Sequence, residues 1–172
     1  MKYIYALLFV STTAFAGNEP LESYFNRFVT AFSSASVDED EYDALVSVKM
    51  DPGMSVSYDY SPPESYLDKD GKPSFVINNA DLLFKGAKSR ELFLDFVKSN
   101  ILSPHKVETG KEITYQKNNV IYTFNVNEYQ QNKIVISENM LSTVVDSETS
   151  CEYSFTRKGQ EFFKLTRVFC AG

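Results

Sequence analysis

The side chains best suited to chemistry are few: one histidine, His105, and two cysteines, Cys151 and Cys170, in a chain of 172 residues. His105 stands in Ser103-Pro104-His105, a turn-forming context, and reads as an exposed loop residue rather than a general base. A Ser-His-Asp or Cys-His nucleophile would have to be built on it, and no G-x-S-x-G elbow accompanies it. Zinc draws its ligands mostly from several His and Cys side chains, a supply this chain lacks. The acidic run DEDEYD, Asp38 to Asp43, raises calcium, but an EF-hand loop counted from Asp38 would need Gly where Asp43 stands and Glu where Lys49 stands. It reads instead as a solvated helix start. Asp68-Lys69-Asp70-Gly71 is a Gly-containing turn. Neither G-x-x-x-x-G-K-[ST] nor G-x-G-x-x-G occurs. No cofactor and no metal is expected, and the balance leans away from an enzyme.

The cysteines border one stretch, CEYSFTRKGQEFFKLTRVFC. A lone pair in an oxidising compartment pairs as a disulfide more readily than it binds metal. Register sets a condition. With Gly159-Gln160 as a two-residue turn, Cys151 would face Val168, leaving Cys170 a diagonal neighbour at about 7–8 Å, beyond the disulfide range of about 4.4–6.8 Å. The bridge therefore predicts an irregular hairpin, with a bulge or a longer loop.

The N-terminus supplies the compartment. Lys2 precedes an apolar stretch from Tyr3 to Val10, and Ala14-Phe15-Ala16 precedes Gly17. This is the pattern of a secretory signal peptide cut after Ala16. Eight or so apolar residues fall short of the roughly 20 that a membrane-spanning helix needs, and no cysteine near the cut offers a lipid anchor. Residues 1–16 are read as signal peptide and 17–172 as one domain, periplasmic or secreted, with no membrane anchor. Removing Lys2 lowers Lys+Arg from 17 to 16 against 23 Asp+Glu, a net charge of about −7. Nucleic acid and anionic membrane surfaces are bound through clustered Lys and Arg, so neither is an expected partner.

Several elements must position these groups. In PLESYFNRFVTAF, Leu21, Tyr24, Phe25, Phe28, Val29 and Phe32 form one helical stripe, with Pro20 suited to the first helical position. Ser36 to Glu39 reads as a capping box for a second helix burying Val37, Ala44, Leu45 and Val48. MSVSYDYS alternates as a strand with Met54, Val56, Tyr58 and Tyr60 on one face. Phe75 to Phe84 holds one or two short strands. A third helix starts near Ser89, turns Leu92, Phe93, Phe96, Val97 and Ile101 inward, and stops before Pro104. Then come strands at Ile113–Lys117 and Val120–Val126 around Asn118-Asn119, a long one at Lys133–Val145, and two more at Cys151–Thr156 and Phe162–Cys170. Such segregation predicts α+β: helices on one face of a curved antiparallel sheet.

That order, with DLLFKGAKSRELFLDFVKSN between the early strands and the late sheet, resembles the nuclear transport factor 2-like superfamily, which includes ketosteroid isomerase and scytalone dehydratase. The Phe84-Lys85-Gly86 step ahead of Leu92, Phe93 and Phe96 carries the resemblance, which spans roughly Glu19 to Cys170. It implies a cystatin-like cone whose sheet curls around a pocket, and a homodimer through the sheet face. Tyr24, Phe28, Tyr58, Tyr60, Phe93, Tyr115, Tyr122 and Tyr153 are the candidate pocket lining. Dehydratase chemistry uses histidines that are missing here. Isomerase chemistry needs a carboxylate base beside a Tyr hydroxyl, and no Asp or Glu stands out in the sequence as that base. Two functions remain. The first is an exported, non-catalytic binding module, taking a small apolar ligand or a basic protein such as a toxin met by an immunity protein. The second is a pocket isomerase or dehydratase acting on a small hydrophobic substrate.

Overall fold

The computed structural model describes residues 19–34, 36–48, 83–157 and 162–172. Helix α1 (Leu21–Phe32), α2 (Glu39–Leu45) and α3 (Ala87–Phe96) precede five strands, β1 (Ile113–Lys117), β2 (Val120–Tyr129), β3 (Lys133–Ser142), β4 (Glu148–Thr156) and β5 (Lys164–Ala171). The strands form one antiparallel sheet in the order β1-β2-β3-β4-β5, each pairing with its chain neighbour. The fold is α+β, as the segregation of elements predicts.

The stripe of α1 buries Tyr24, Phe25, Phe28, Val29 and Phe32. Pro20 lies one residue outside the helix, as its N-cap, and its carbonyl accepts from Tyr24 N at 3.1 Å. For α2 the cap is Asp38, not Ser36: the Asp38 carboxylate accepts from the amides of Asp40 and Glu41. An acid here satisfies orphan N–H groups and also meets the positive end of the helix dipole. This helix ends earlier than its apolar spacing suggests. Val46 turns extended and bridges in parallel to Leu165, while Ser47 N donates to the Leu165 carbonyl at 2.8 Å. A β-branched residue gains more from a strand edge than from another helical turn. Helix α3 begins two residues before Ser89, where Gly86 takes φ 92°, a conformation costly for residues with a Cβ. It continues directly into a π-helical turn, Val97–Ile101.

The hairpin expected at Asn118 is present, with Lys117 paired to Val120 and Asn118 at φ 52°. Strand β3 stops at Ser142 instead of reaching Val145, because the Ser142 hydroxyl accepts from the amides of Val144 and Val145 and turns the chain. Strand β2 carries a bulge, with Asn127 the extra residue between Val126 and Glu128.

The disulfide joins Cys151 to Cys170, with Cα atoms 4.1 Å apart. Two irregularities bring them level. Thr156 pairs with Lys164, so the connection is longer than two residues, and a bulge at Thr166 shifts the register once more. The Thr166 hydroxyl donates to the Ser154 carbonyl at 3.1 Å, meeting an acceptor beside the irregularity.

The core lies between helices and sheet and is aromatic. Phe93 packs against Tyr153, Phe84 and Phe124, with centroids 4.6, 5.2 and 6.2 Å away. Phe28 stacks on Phe32 at 4.4 Å and meets Phe155 edge-on at 5.4 Å. The strand expected at Met54 to Tyr60 lies outside the described residues, as does nearly all of Phe75 to Phe84; Leu83 and Phe84 stand in a turn.

Candidate functional site

One row of side chains crosses the whole sheet: Ile113, Phe124, Glu138, Cys151 and Cys170 are paired neighbour to neighbour on five successive strands. At its centre is a carboxylate. Along β3, Ile134, Ile136, Glu138 and Met140 alternate onto the helix-covered face, and Glu138 is 0% exposed. A carboxylate in such a place must find hydrogen bonds or become neutral.

Glu138 Oε2 accepts two: from the Tyr153 hydroxyl at 2.8 Å and from the Ser89 hydroxyl at 2.9 Å. Each donor comes from a different element. Tyr153 sits on β4 opposite Ile136, so its ring reaches Glu138 along the diagonal of the strand pair. Ser89 belongs to the first turn of α3, where the positive end of the helix favours a negative neighbour. Oε1 is buried and meets no donor among the described residues. Phe84 and Phe93 pack on Tyr153, and Phe124 is the paired neighbour of Glu138.

This setting shifts the proton affinities of the groups it holds. Burial raises the Glu138 pKa above its ordinary 4.5, opposed by the Ser89 and Tyr153 hydrogen bonds and by the charge of Lys85. Burial also pushes the Tyr153 hydroxyl well above 10, with the Glu138 charge adding to the shift. Tyr153 is therefore a donor, never a phenolate, at physiological pH. Lys85 is itself lowered by burial, and Glu138 works against that. The result is a buried carboxyl with one oxygen held by two hydroxyls, the other meeting no donor among the described residues, and a proton held more firmly than on an exposed glutamate.

The candidate lining residues distribute as follows. Tyr24, Phe28, Phe93 and Tyr153 are fully buried and Tyr122 nearly so, while Tyr115 packs against the core partly exposed. Tyr58 and Tyr60 lie outside the described residues. Of the described ones, only Tyr153 hydrogen-bonds the carboxylate. Tyr24 instead donates to the Leu45 carbonyl at 2.8 Å, tying α1 to the end of α2. The site residue that sequence reasoning missed is Glu138. Its signal was its place in the Ile134, Ile136, Met140 alternation, where a charge resembles the end of a buried row rather than its middle.

Two clefts lie away from this site. One is bordered by the end of α3 and the loop carrying His105, the other by Glu19, Leu21, Tyr129 and Arg157. Among the described residues no group of three His, Cys, Asp or Glu side chains is arranged to hold a metal, and no helix is long and apolar enough to cross a membrane.

No protein-family model, curated protein or solved structure matches this chain.

Proposed function

We propose that the protein is an exported, non-catalytic interaction module that meets a basic protein partner through its acidic surface. The observation that carries this reading is the packing of the interior. Aromatic rings fill the space between helices and sheet, and Glu138 lies sealed among them at 0% exposure. In this reading the carboxyl and its two hydroxyl donors lock α3 to β3 and β4, and recognition falls to the outside. There, Asp38, Glu39, Asp40 and Asp43 are exposed together on and just before α2, in a chain of net charge −6. A charged rim of one sign speeds encounter with a partner of the other sign. Export is supported by the Lys2 to Ala16 pattern and by the Cys151–Cys170 bridge, which suits an oxidising compartment. The nuclear transport factor 2-like cone is the fold reading that goes with this proposal, and its sheet-face dimer is the expected self-association.

The test is affinity capture from the exporting compartment with the wild-type protein and with the Glu39→Lys/Asp40→Lys/Asp43→Lys variant. A basic partner held by the wild type and released by the variant, with association slowing as salt rises, supports the proposal. Capture of no partner, or equal capture by both, contradicts it.

A second reading has its own observation. A carboxyl raised by burial beside a Tyr hydroxyl is the equipment of a proton-transferring isomerase acting on a small hydrophobic substrate. Turnover of a small ketone panel that vanishes in Glu138→Gln, with the fold intact, would establish it over the first.

A further inference from the structure

The cleft beyond α3 is built from a different set of groups. Helix α3 passes without a break into the π-turn Val97–Ile101, where Leu102 N donates to the Val97 carbonyl five residues back at 3.0 Å. Such a widened turn is a local cost that recurs at functional sites. Here it carries Ser99 and Asn100 to the cleft wall, and the Asn100 amide donates to the Phe96 carbonyl at 3.0 Å. The opposite wall is the loop bearing Ser103, His105, Lys106 and Lys111. That loop is pinned to β2: Thr109 bridges in parallel to Val126, and Gly110 N donates to the Val126 carbonyl at 2.9 Å. Both walls are thus fixed to the fold. Phe96 and Val126, both buried, and Val107 supply its apolar lining.

The space is about 250 Å³, just under the range of about 300–1,000 Å³ that holds drug-sized ligands, so it suits a compact molecule. Its charge runs against that of the chain. Lys106 and Lys111 border it in a protein of net charge −6, with the His105 ring beside them, and Glu108 is the one acid in its lining. Glu108 engages Lys111 at 3.0 Å, while Lys106 makes no ion pair among the described residues. Cationic and hydroxyl donors beside an apolar lining match an anionic head with a short apolar tail.

We propose that this cleft is a binding site for a small carboxylate with a short aliphatic chain. The head is taken by Lys106 and Lys111, with the Ser99 and Ser103 hydroxyls beside it, and the tail rests on Phe96 and Val126. Glu108 acts as the internal competitor that occupies Lys111 when the site is empty. This site is independent of Glu138 and of the acidic surface, so it stands or falls separately from the proposed partner.

The experiment is a titration of the protein, purified from an oxidising compartment, with butyrate, acetate and choline, followed by amide chemical shifts. Butyrate is expected to give saturable shifts at Ser99, Asn100, His105 and Lys106. It should bind roughly tenfold more tightly than acetate, from the burial of two more methylenes. Lys106→Ala should weaken it at least roughly tenfold through loss of a charged donor. Glu108→Gln should tighten it, and Lys98→Ala, on the neighbouring surface, should leave it unchanged. Shifts that do not saturate, equal shifts with choline, acetate binding as well as butyrate, or equal weakening by Lys98→Ala would overturn the assignment.

Discussion

The Tyr153 hydroxyl donates to Glu138 Oε2 at 2.8 Å across a diagonal of the β3–β4 pair, with both side chains shut away from solvent. Ser89 adds a second donor to the same oxygen from α3. The buried acid is thereby joined to both layers of the fold. Removing Glu138 strands both hydroxyls, and removing either hydroxyl leaves the acid with one donor.

A first consequence concerns pH. The folded pKa of Glu138 is raised above 4.5, so the folded state holds this proton after the unfolded chain has released it. Its contribution to stability is fully present below about pH 4.5 and declines as pH rises through the folded value, because the unfolded state then binds fewer protons. Glu138→Gln cannot ionise, so its stability relative to the wild type should climb with pH above 4.5. Urea denaturation at a series of pH values measures this; a difference that does not change with pH contradicts it.

Tyr153→Phe keeps the ring among Phe84 and Phe93 but removes one of the two donors to Glu138. The cost should be about 1–3 kcal/mol, the penalty of leaving a buried acceptor less satisfied. It should shrink in acid, where Glu138 is neutral. Chemical denaturation at two pH values reads both effects.

The disulfide row adjoins the same acid, since Cys151 is the paired neighbour of Glu138 on β4. Cys151→Ser/Cys170→Ser should destabilise by about 3 kcal/mol from the freed unfolded chain. It should also bring the Glu138 pKa back toward its ordinary value as water reaches the row. The carboxyl carbon shift of Glu138, followed by NMR through a pH titration, reports the second effect.

Phe93 touches Phe28, Phe84, Phe124, Tyr153 and Phe155. Phe93→Ala should cost about 3–5 kcal/mol, the usual figure for a large ring lost from a packed core. Arg157→Ala should cost far less. Arg157 stacks on Phe163 at 4.4 Å and donates to the Glu19 carbonyl, holding the entry to α1. Its loss should show as faster amide exchange in Tyr24 and its neighbours.

What was legible in the sequence follows the range of the forces involved. The α1 stripe was readable because helical spacing is local, and the Asn118 turn because its backbone preference is local. The disulfide was readable because only two cysteines exist, and their spacing called for a bulge or a longer loop without saying which; the hairpin has both. The end of α2 was misread because Val46 answers to Leu165, far along the chain. Glu138 was missed for the same reason. Its partners lie 49 residues before it and 15 after it, and only the folded sheet brings them to one oxygen.

Photo-cross-linking in cells that make the protein, with a light-activated residue at position 40 on α2, tests the acidic surface most directly. A discrete adduct with one basic protein is expected, lost when Glu39 and Asp43 are both changed to Lys. No adduct, or only adducts between copies of this chain, would contradict a partner at the acidic surface and turn attention to Glu138 as a reactive group.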